Sequence, residues 1–275
     1  MKISKEQRIE RLVTYLPQLT EGQIVWVERV VFQFTRTKTF HRLPESDLIN
    51  QESILEDFGD ALRIHHCFTD EPFTKDKFEY VLVNVFNYYG VKAEKSKYNN
   101  PGADIIINEE QFSLKTQADR NLRENSINIH KYMELGKGEW TNKLKHLKGL
   151  TEQFLFHLNN YSRILVLRNI GRPTPAYPNW KYELVEIPKK LLLEVSRGTY
   201  EMMSDSIQTP KPGYCRVFNE AGRLKFELYF DGGTERKLKI NKIDKTYCTV
   251  HATWEFIIKE LDEDVVDQNN ESTEG

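Results

Sequence analysis

The sequence predicts an α/β protein in which a central mixed β-sheet is flanked by helices. Three patterns support this fold class. Apolar residues recur at helical spacing over residues 4–34, 53–66 and 74–90, alternate with polar residues over 91–116, and form the uninterrupted run "RILVLRNI" at 163–170. Because a strand without alternation is buried on both faces, we expect the last run in the middle of the sheet.

Length and composition are those of a folded, water-soluble protein. The 275 residues allow one sizeable domain or a domain with an added subdomain. Hydrophobic residues make up 39% and charged residues 29%, and neither a membrane span nor a signal peptide is visible. We therefore expect a cytoplasmic protein. The three cysteines lack CxxC spacing, which argues against a disulfide framework and a thiolate zinc site.

The net charge of −2 conceals an uneven distribution. Residues 260–275 carry seven acids and no Lys or Arg, so the rest of the chain has a formal charge of +5. An acidic, polar end of this kind is typical of a disordered tail, and we assign it as a separate segment. A moderately basic body is compatible with a polyanionic partner.

The first seventy residues are expected to be helical. Capping-box patterns begin at Ser4 and Thr20, each with a Gln three residues later and apolar residues at helical spacing beyond. A third helix is expected over residues 53–66. We assign residues 1–73 as a helical N-terminal region that serves as scaffold or dimer contact.

Residues 74–259 are expected to form the core, in which helices and strands alternate. Gly90 supplies a stop for the first helix of this region, and Pro188 opens a later, short one. Turn formers mark a C-terminal hairpin, and prolines keep residues 204–214 irregular. The expected elements are helices at 74–90 and 141–160, strands at 91–96, 104–108, 111–116, 163–170 and 180–187, and the hairpin at 223–242.

Asp104 and Lys115 stand near the two ends of a short predicted hairpin. Residues two apart in a strand share a face, so Ser113 projects with Lys115, and a turn at 108–110 brings Asp104 beside them. A carboxylate offers the hard oxygen that Mg²⁺ prefers, and a lysine can activate water or neutralise charge on a phosphoryl transition state. Phosphodiester hydrolysis needs these groups. Taken singly, Asp104 could be a turn residue and Lys115 an edge-strand lysine.

The motif "PGAD", a strand and then "SLK" resembles the PD-(D/E)xK nuclease superfamily, and the overall build is similar to that of type II restriction endonucleases. The resemblance covers about residues 74–170 and implies a restriction-endonuclease-like central sheet. It also implies that Asp104 binds a divalent metal and that Lys115 is catalytic. In that superfamily a second acid stands two residues before the lysine, where this chain has Ser113.

A serine brings no negative charge to a metal, so the missing carboxylate is expected from elsewhere. The resemblance points to Glu79, in the helix before the first strand, because members of the superfamily often place an auxiliary acid there. A structural alternative for Glu79 is a solvated acid favoured by the helix dipole. Glu124 is the second candidate ligand. Gln117 shares a strand face with Ser113 and is expected to help hold metal waters or a phosphate.

Clusters of basic residues are candidates for DNA binding, since phosphate contacts provide affinity and a two-stranded ribbon fits the major groove. "SINIHKY" resembles the segment that approaches the cleaved strand in relatives, which points to His130 and Lys131. The other candidates are Lys143, Lys145, His146 and Lys148 on a helix, and Arg236, Lys237, Lys239 and Lys242 on the C-terminal hairpin.

These expectations together describe a Mg²⁺-dependent type II restriction endonuclease that cuts double-stranded DNA at a short site. A homodimer is expected because a palindrome has two scissile phosphates related by a twofold axis, and a cognate DNA methyltransferase is expected in the same system. Two alternatives remain: a repair or junction-resolving nuclease of the same superfamily, and a DNA-binding protein without catalytic activity.

Overall fold

Two β-sheets and six α-helices make up the part of the chain that the structure, a computed structural model, describes: residues 3–96, 102–119, 122–136 and 139–259. The helices are α1 (Lys5–Tyr15), α2 (Glu21–Phe34), α3 (Glu52–His66), α4 (Lys75–Tyr88), α5 (Leu144–His157) and α6 (Lys189–Leu193). The strands are β1 (Lys38–Arg42), β2 (Ala93–Lys95), β3 (Ile105–Ile107), β4 (Glu110–Gln117), β5 (Ser126–Glu134), β6 (Arg163–Gly171), β7 (Asn179–Glu186), β8 (Thr199–Met202), β9 (Gly213–Phe218), β10 (Leu224–Asp231), β11 (Lys237–Asp244) and β12 (Thr249–Ile257). The mixed α/β fold class is confirmed.

The larger sheet has the strand order β1-β12-β7-β6-β4-β3-β2. Only the β4–β6 pair is parallel among its described pairings, so the sheet is mixed. The apolar run in β6 lies between β7 and β4, and residues 164–168 are buried. Its expected central position is confirmed, because only a strand covered on both faces needs apolar side chains on both.

The smaller sheet has the order β5-β11-β10-β9-β8 and packs with α5 over one face of the larger sheet. Its β10–β11 pair is the expected C-terminal hairpin. The first two residues of β9, Gly213 and Tyr214, belong to the segment expected to be irregular. Strands β5, β8, β9 and β12 have no counterpart among the predicted elements. β5 and β12 pair with distant strands, whereas β8 and β9 pair with strands near them in the chain.

The N-terminal region is only partly as expected. Both capping boxes form, at Ser4 and Thr20, but Lys38–Arg42 is a strand, so the expectation of helix throughout the first seventy residues is wrong there. This segment pairs with β12 at the sheet edge, and that tertiary pairing overrides local preference. The acidic segment 260–275 lies outside the described residues. No helix in the described ranges is long and apolar enough to cross a membrane.

Candidate active site

Asp104 and Lys115 meet at the end of the β3–β4 hairpin. Backbone pairing of Ile105 with Phe112 sets the register, and the Asp104 N–H donates to the Phe112 carbonyl at 2.8 Å. Nζ of Lys115 lies 3.8 Å from Oδ2 of Asp104, and the two side chains are only 12% and 16% exposed. The hairpin register therefore brings the acid and the lysine together, as the strand geometry predicts.

Hydrogen bonds fix the Asp104 carboxylate on both oxygens. Oδ2 accepts from the Leu114 N–H at 2.5 Å and from the Ser113 hydroxyl at 3.3 Å. Oδ1 accepts from Nζ of Lys75 at 2.6 Å. Since one donor is the backbone of β4 itself, the carboxylate is held relative to the strand that carries Lys115.

Lys115 is held by a hydroxyl and an aromatic ring. Its Nζ donates to Oγ of Ser113 at 2.8 Å and lies 5.4 Å from the ring centre of Tyr132. Burial lowers the pKa of Lys115 to about 8, and the negative charge of Asp104 partly opposes that shift. A lysine with this pKa has a substantial neutral fraction at mildly alkaline pH, so it can accept a proton from water.

Glu79 lies close to Asp104, because the ammonium of Lys75 contacts both carboxylates. Nζ of Lys75 is 3.6 Å from Oε1 of Glu79 as well as 2.6 Å from Asp104, so these two carboxylate oxygens are at most 6.2 Å apart, the sum of the two distances. Oε2 of Glu79 pairs with Lys95 at 3.0 Å. Glu79 is 9% exposed, so the alternative of a fully solvated acid does not describe it.

The donor set near Asp104 fits a hydrated Mg²⁺ ion. That ion takes one or two carboxylates and keeps several waters, and here two carboxylates already share one cationic group, the Lys75 ammonium. Asp104 and Glu79 are the residues that could hold the metal. The Ser113 hydroxyl is engaged with both Asp104 and Lys115.

Gln117 and Glu124 are placed differently from these residues. The Gln117 side chain is buried, with its carbonyl accepting from Nε of Arg168 at 2.9 Å and its amide donating to Asp119 at 3.2 Å. Glu124 is exposed, and its backbone carbonyl accepts from Arg168 at 3.0 Å. Both residues therefore surround the buried Arg168 guanidinium.

A second group of possible metal ligands, Asp47, Glu186 and His251, lies elsewhere. Arg163 donates to both carboxylates of this group, at 2.8 Å to Asp47 and 3.1 Å to Glu186. Arg163 pairs with Phe112 in the sheet, so the group lies on the face of β4 opposite Lys115. The single positive charge of the Arg163 guanidinium is thus shared between the two carboxylates.

Residues behind Lys115 were not anticipated from the sequence. The Tyr132 and Tyr161 hydroxyls are 2.5 Å apart and buried, and burial raises the pKa of Tyr132. Burial, and then the charge of Lys115, lower the pKa of His157. No local pattern could have found these long-range neighbours. Lys75 did carry a signal, because it precedes Glu79 by four residues and so shares its helix face.

Half of the ten candidate DNA-binding residues lie on two paired strands of the smaller sheet. His130 and Lys131 are on β5, which pairs with β11, the strand of Lys237 and Lys239. Arg236 precedes β11 with φ of +42°. Within the described structure each of four side chains has an acidic neighbour: His130 with Asp119 at 2.7 Å, Lys131 with Glu134 at 2.8 Å, Lys237 with Glu235 at 3.4 Å and Lys239 with Asp231 at 2.8 Å.

The basic candidates at the start of α5 are only partly accessible to solvent. Lys143 and Lys145 are exposed at the start of α5, and Lys148 is exposed one turn later. His146 is buried, and its Nδ1 is 2.8 Å from the Thr141 hydroxyl. The grouping of His146 with these exposed lysines is therefore wrong, because position 146 is on the core-facing side of α5.

Comparison with known proteins establishes the class. A family model described as "SmaI: Type II site-specific deoxyribonuclease" matches residues 12–256, so the chain is a type II site-specific deoxyribonuclease, an enzyme of restriction–modification systems. The "Type II restriction enzyme SmaI" of Serratia marcescens is 40% identical over 256 residues, which cover 91% of this chain and 98% of that relative. The chain belongs to the SmaI family. No solved structure gives a significant match.

Proposed function

We propose that this enzyme hydrolyses phosphodiester bonds of double-stranded DNA at a short specific sequence, with Mg²⁺ bound by Asp104 and Glu79. The observation that carries the proposal is the convergence of these two carboxylates and the buried Lys115. Glu79 supplies the second negative charge that Ser113 does not. When bound, Mg²⁺ supplies Lewis acidity and lowers the pKa of coordinated water.

The protein residues have separate roles in this proposal. Lys115 orients the attacking water and, in its neutral form, accepts its proton. Ser113 holds Nζ of Lys115 in position through the 2.8 Å hydrogen bond and links it to Asp104. Gln117 supports the site through Arg168, and this contact favours a positioning role over holding metal waters.

DNA is proposed to contact the strands and helix that carry the exposed basic groups. His130 and Lys131 on β5 lie beside Lys237 and Lys239 on β11, with Arg236 at the turn. Lys143 and Lys145 at the start of α5 add further positive charge. The acidic neighbours of the basic side chains on β5 and β11 reduce the electrostatic repulsion between those basic groups. When DNA binds, its phosphates would compete with the acidic side chains for the basic groups.

Cleavage of phage DNA in the presence of Mg²⁺ tests the proposal. We expect discrete fragments from the wild-type enzyme and none from Lys115→Ala or Asp104→Ala. Asp104→Ala is expected to bind DNA without metal at least as tightly as the wild type, since a negative charge next to the phosphate has been removed. Preference for branched substrates would favour the junction-resolving alternative, and retarded but intact DNA would favour binding alone.

A homodimer formed through α1 and α2 is part of the proposal. α1 has no buried residue, and ten large apolar side chains of the α1–α2 segment are 36–62% exposed: Ile9, Leu12, Val13, Tyr15, Leu16, Val25, Trp26, Val27, Val31 and Phe34. Ten half-exposed side chains of this size present on the order of 1,000 Å², comparable to the roughly 800 Å² that each partner contributes to a standard interface. A second copy fits because a palindromic site needs two active sites.

Sedimentation of the purified enzyme tests the interface. Leu12→Glu combined with Val13→Glu is expected to give a monomer that nicks DNA more than it breaks both strands. Phe156→Glu, at a 75% exposed apolar position on α5, is the matched control and should stay dimeric. Unchanged sedimentation of the α1 variant would rule out this surface. A cytoplasmic location and a cognate methyltransferase that protects host DNA complete the proposal.

A further inference from the structure

Lys75 occupies the centre of the acidic group, although no motif assigns it a role. It stands in the first turn of α4, where the helix dipole disfavours a positive charge. Its Nζ is 2.6 Å from Oδ1 of Asp104 and 3.6 Å from Oε1 of Glu79. Helix preference therefore does not account for the lysine, whereas the two carboxylates do, because they repel each other unless a cation lies between them.

The charges of the site indicate that the Lys75 ammonium and a bound divalent metal cannot both lie between Asp104 and Glu79. Three ammonium groups, those of Lys75, Lys95 and Lys115, already face the two carboxylates of Asp104 and Glu79. A dication between the carboxylates would add two more positive charges within a few ångströms, so one ammonium has to move away. Like charges that close disfavour each other strongly.

The three lysines differ in exposure and in the carboxylates that they contact. Lys115 is 12% exposed and bound to Ser113, whereas Lys95 is 52% exposed and pairs with Oε2 of Glu79 at 3.0 Å. Lys75 alone contacts both acids, and its side chain is 39% exposed. A partly exposed lysine can turn its ammonium group towards solvent. Because it is the one of the three lysines that contacts both carboxylates, Lys75 is the group that a metal held by both acids would displace.

We propose that Lys75 is an internal counter-ion that takes the place of the divalent cation in the metal-free enzyme and moves to a DNA phosphate when metal and DNA bind. This proposal rests on the proposed metal site. DNA then strengthens metal binding, because a phosphate removes the competing ammonium from Asp104 and Glu79, and by reciprocity metal strengthens DNA binding. The enzyme would stay weakly metallated until it is on its substrate.

Calorimetric titration of the DNA-free protein with Mn²⁺ tests the competition. Lys75→Met keeps the apolar stem and removes the charge, and we expect it to bind Mn²⁺ about tenfold or more tightly than the wild type, as expected for loss of a charge this close. Lys77→Met is the matched control, because that ammonium lies on the same helix 3.1 Å from Nδ1 of His65. Its Mn²⁺ affinity should equal that of the wild type. Equal or weaker Mn²⁺ binding by Lys75→Met overturns the proposal.

The coupling to DNA is measured in the non-cleaving Lys115→Ala background, with fragmented phage DNA present or absent. DNA should tighten Mn²⁺ binding more in Lys115→Ala than in Lys115→Ala combined with Lys75→Met. An equal effect of DNA in both overturns the transfer to phosphate. Asp104→Ala distinguishes failure of the proposed metal site from failure of the counter-ion role of Lys75. If Asp104→Ala binds Mn²⁺ as tightly as the wild type does, the proposed metal site is wrong. If Asp104→Ala loses Mn²⁺ binding but Lys75→Met does not bind Mn²⁺ more tightly than the wild type, only the counter-ion proposal is rejected.

Discussion

Lys115 donates a 2.8 Å hydrogen bond from Nζ to the hydroxyl of Ser113, two residues earlier on the same face of β4. The same hydroxyl lies 3.3 Å from Oδ2 of Asp104. The position at which the resemblance to PD-(D/E)xK nucleases leads us to expect an acid is thus occupied by a neutral group that joins Lys115 to Asp104. Two predictions concern this site, and two concern buried residues that stabilise the fold.

Ser113→Ala should slow cleavage more than it weakens metal binding. Without the hydroxyl, Nζ of Lys115 loses its nearest partner, and misplacement of a catalytic group by about 1 Å can cost about a hundredfold in rate. Single-turnover cleavage and Mn²⁺ titration measure the two effects. Thr116→Val, on the opposite face of β4, is the control and should be close to wild type. A larger loss of metal affinity than of rate would mean that Ser113 is a ligand.

Glu79→Gln should lower the cleavage rate on the order of a hundredfold or more. The substitution keeps the shape of the side chain and removes the second negative charge of the proposed metal site. Glu124→Gln should leave the rate nearly unchanged, since that side chain is exposed beside the backbone contacts of Arg168. Initial cleavage rates measured at equal protein concentration decide between them. If Glu79→Gln cuts at the wild-type rate and Glu124→Gln does not, Glu124 is the missing ligand.

His66 should make the folded state sensitive to acid. The ring is stacked 3.5 Å from Trp180, Nε2 is 2.7 Å from the Tyr182 hydroxyl, and burial lowers the pKa of His66 to about 3. In the unfolded chain the pKa is about 6.5, so between these values only the unfolded state is protonated. This group therefore lowers the free energy of unfolding by about 1.4 kcal/mol per pH unit as pH falls through that window.

Urea unfolding of His66→Gln between pH 7.5 and 4.5 checks the prediction. The variant is expected to be less stable at neutral pH but to lose stability less steeply on acidification than the wild type. His41→Gln changes an exposed histidine and should keep the wild-type slope. Equal slopes in all three proteins would show that His66 does not control the acid response.

Arg168→Met should destabilise the fold, including the segment between β4 and β5 that the Arg168 side chain contacts. The guanidinium is fully buried, paired with Glu183, and donates to the carbonyls of Arg123 and Ser126 at 2.8 Å. Removing one partner of a buried ion pair costs about 3–5 kcal/mol, and we expect a loss near the lower end because Glu183 keeps Lys245 at 3.0 Å. Urea unfolding at neutral pH measures the change in the free energy of unfolding.

Arg197→Met provides the matched control. Arg197 is paired with Glu194 and its side chain is 65% exposed, and an exposed pair contributes about 1 kcal/mol or less. Comparable losses in the two variants would contradict the importance of burial at Arg168.

Local sequence was sufficient for the parts of the fold whose partners are near in the chain. The capping boxes at Ser4 and Thr20, the helix ended by Gly90 and the β3–β4 hairpin all depend on residues within a few positions of each other. The meeting of Asp104 with Lys115 belongs to the same group, because the turn and the two-residue period of the strand are both local.

The sequence by itself therefore determined the mixed α/β class, the central position of β6 and the side of the hairpin on which Ser113 and Lys115 project. Only the tertiary structure decided that Lys38–Arg42 is a strand, that Glu79 rather than Glu124 lies near Asp104, and that Lys75 joins the two acids. The reason is the range of the interactions: backbone period and turn chemistry are encoded within a few residues, whereas these contacts exist only after helix α4 and strand β12 have packed against the sheet.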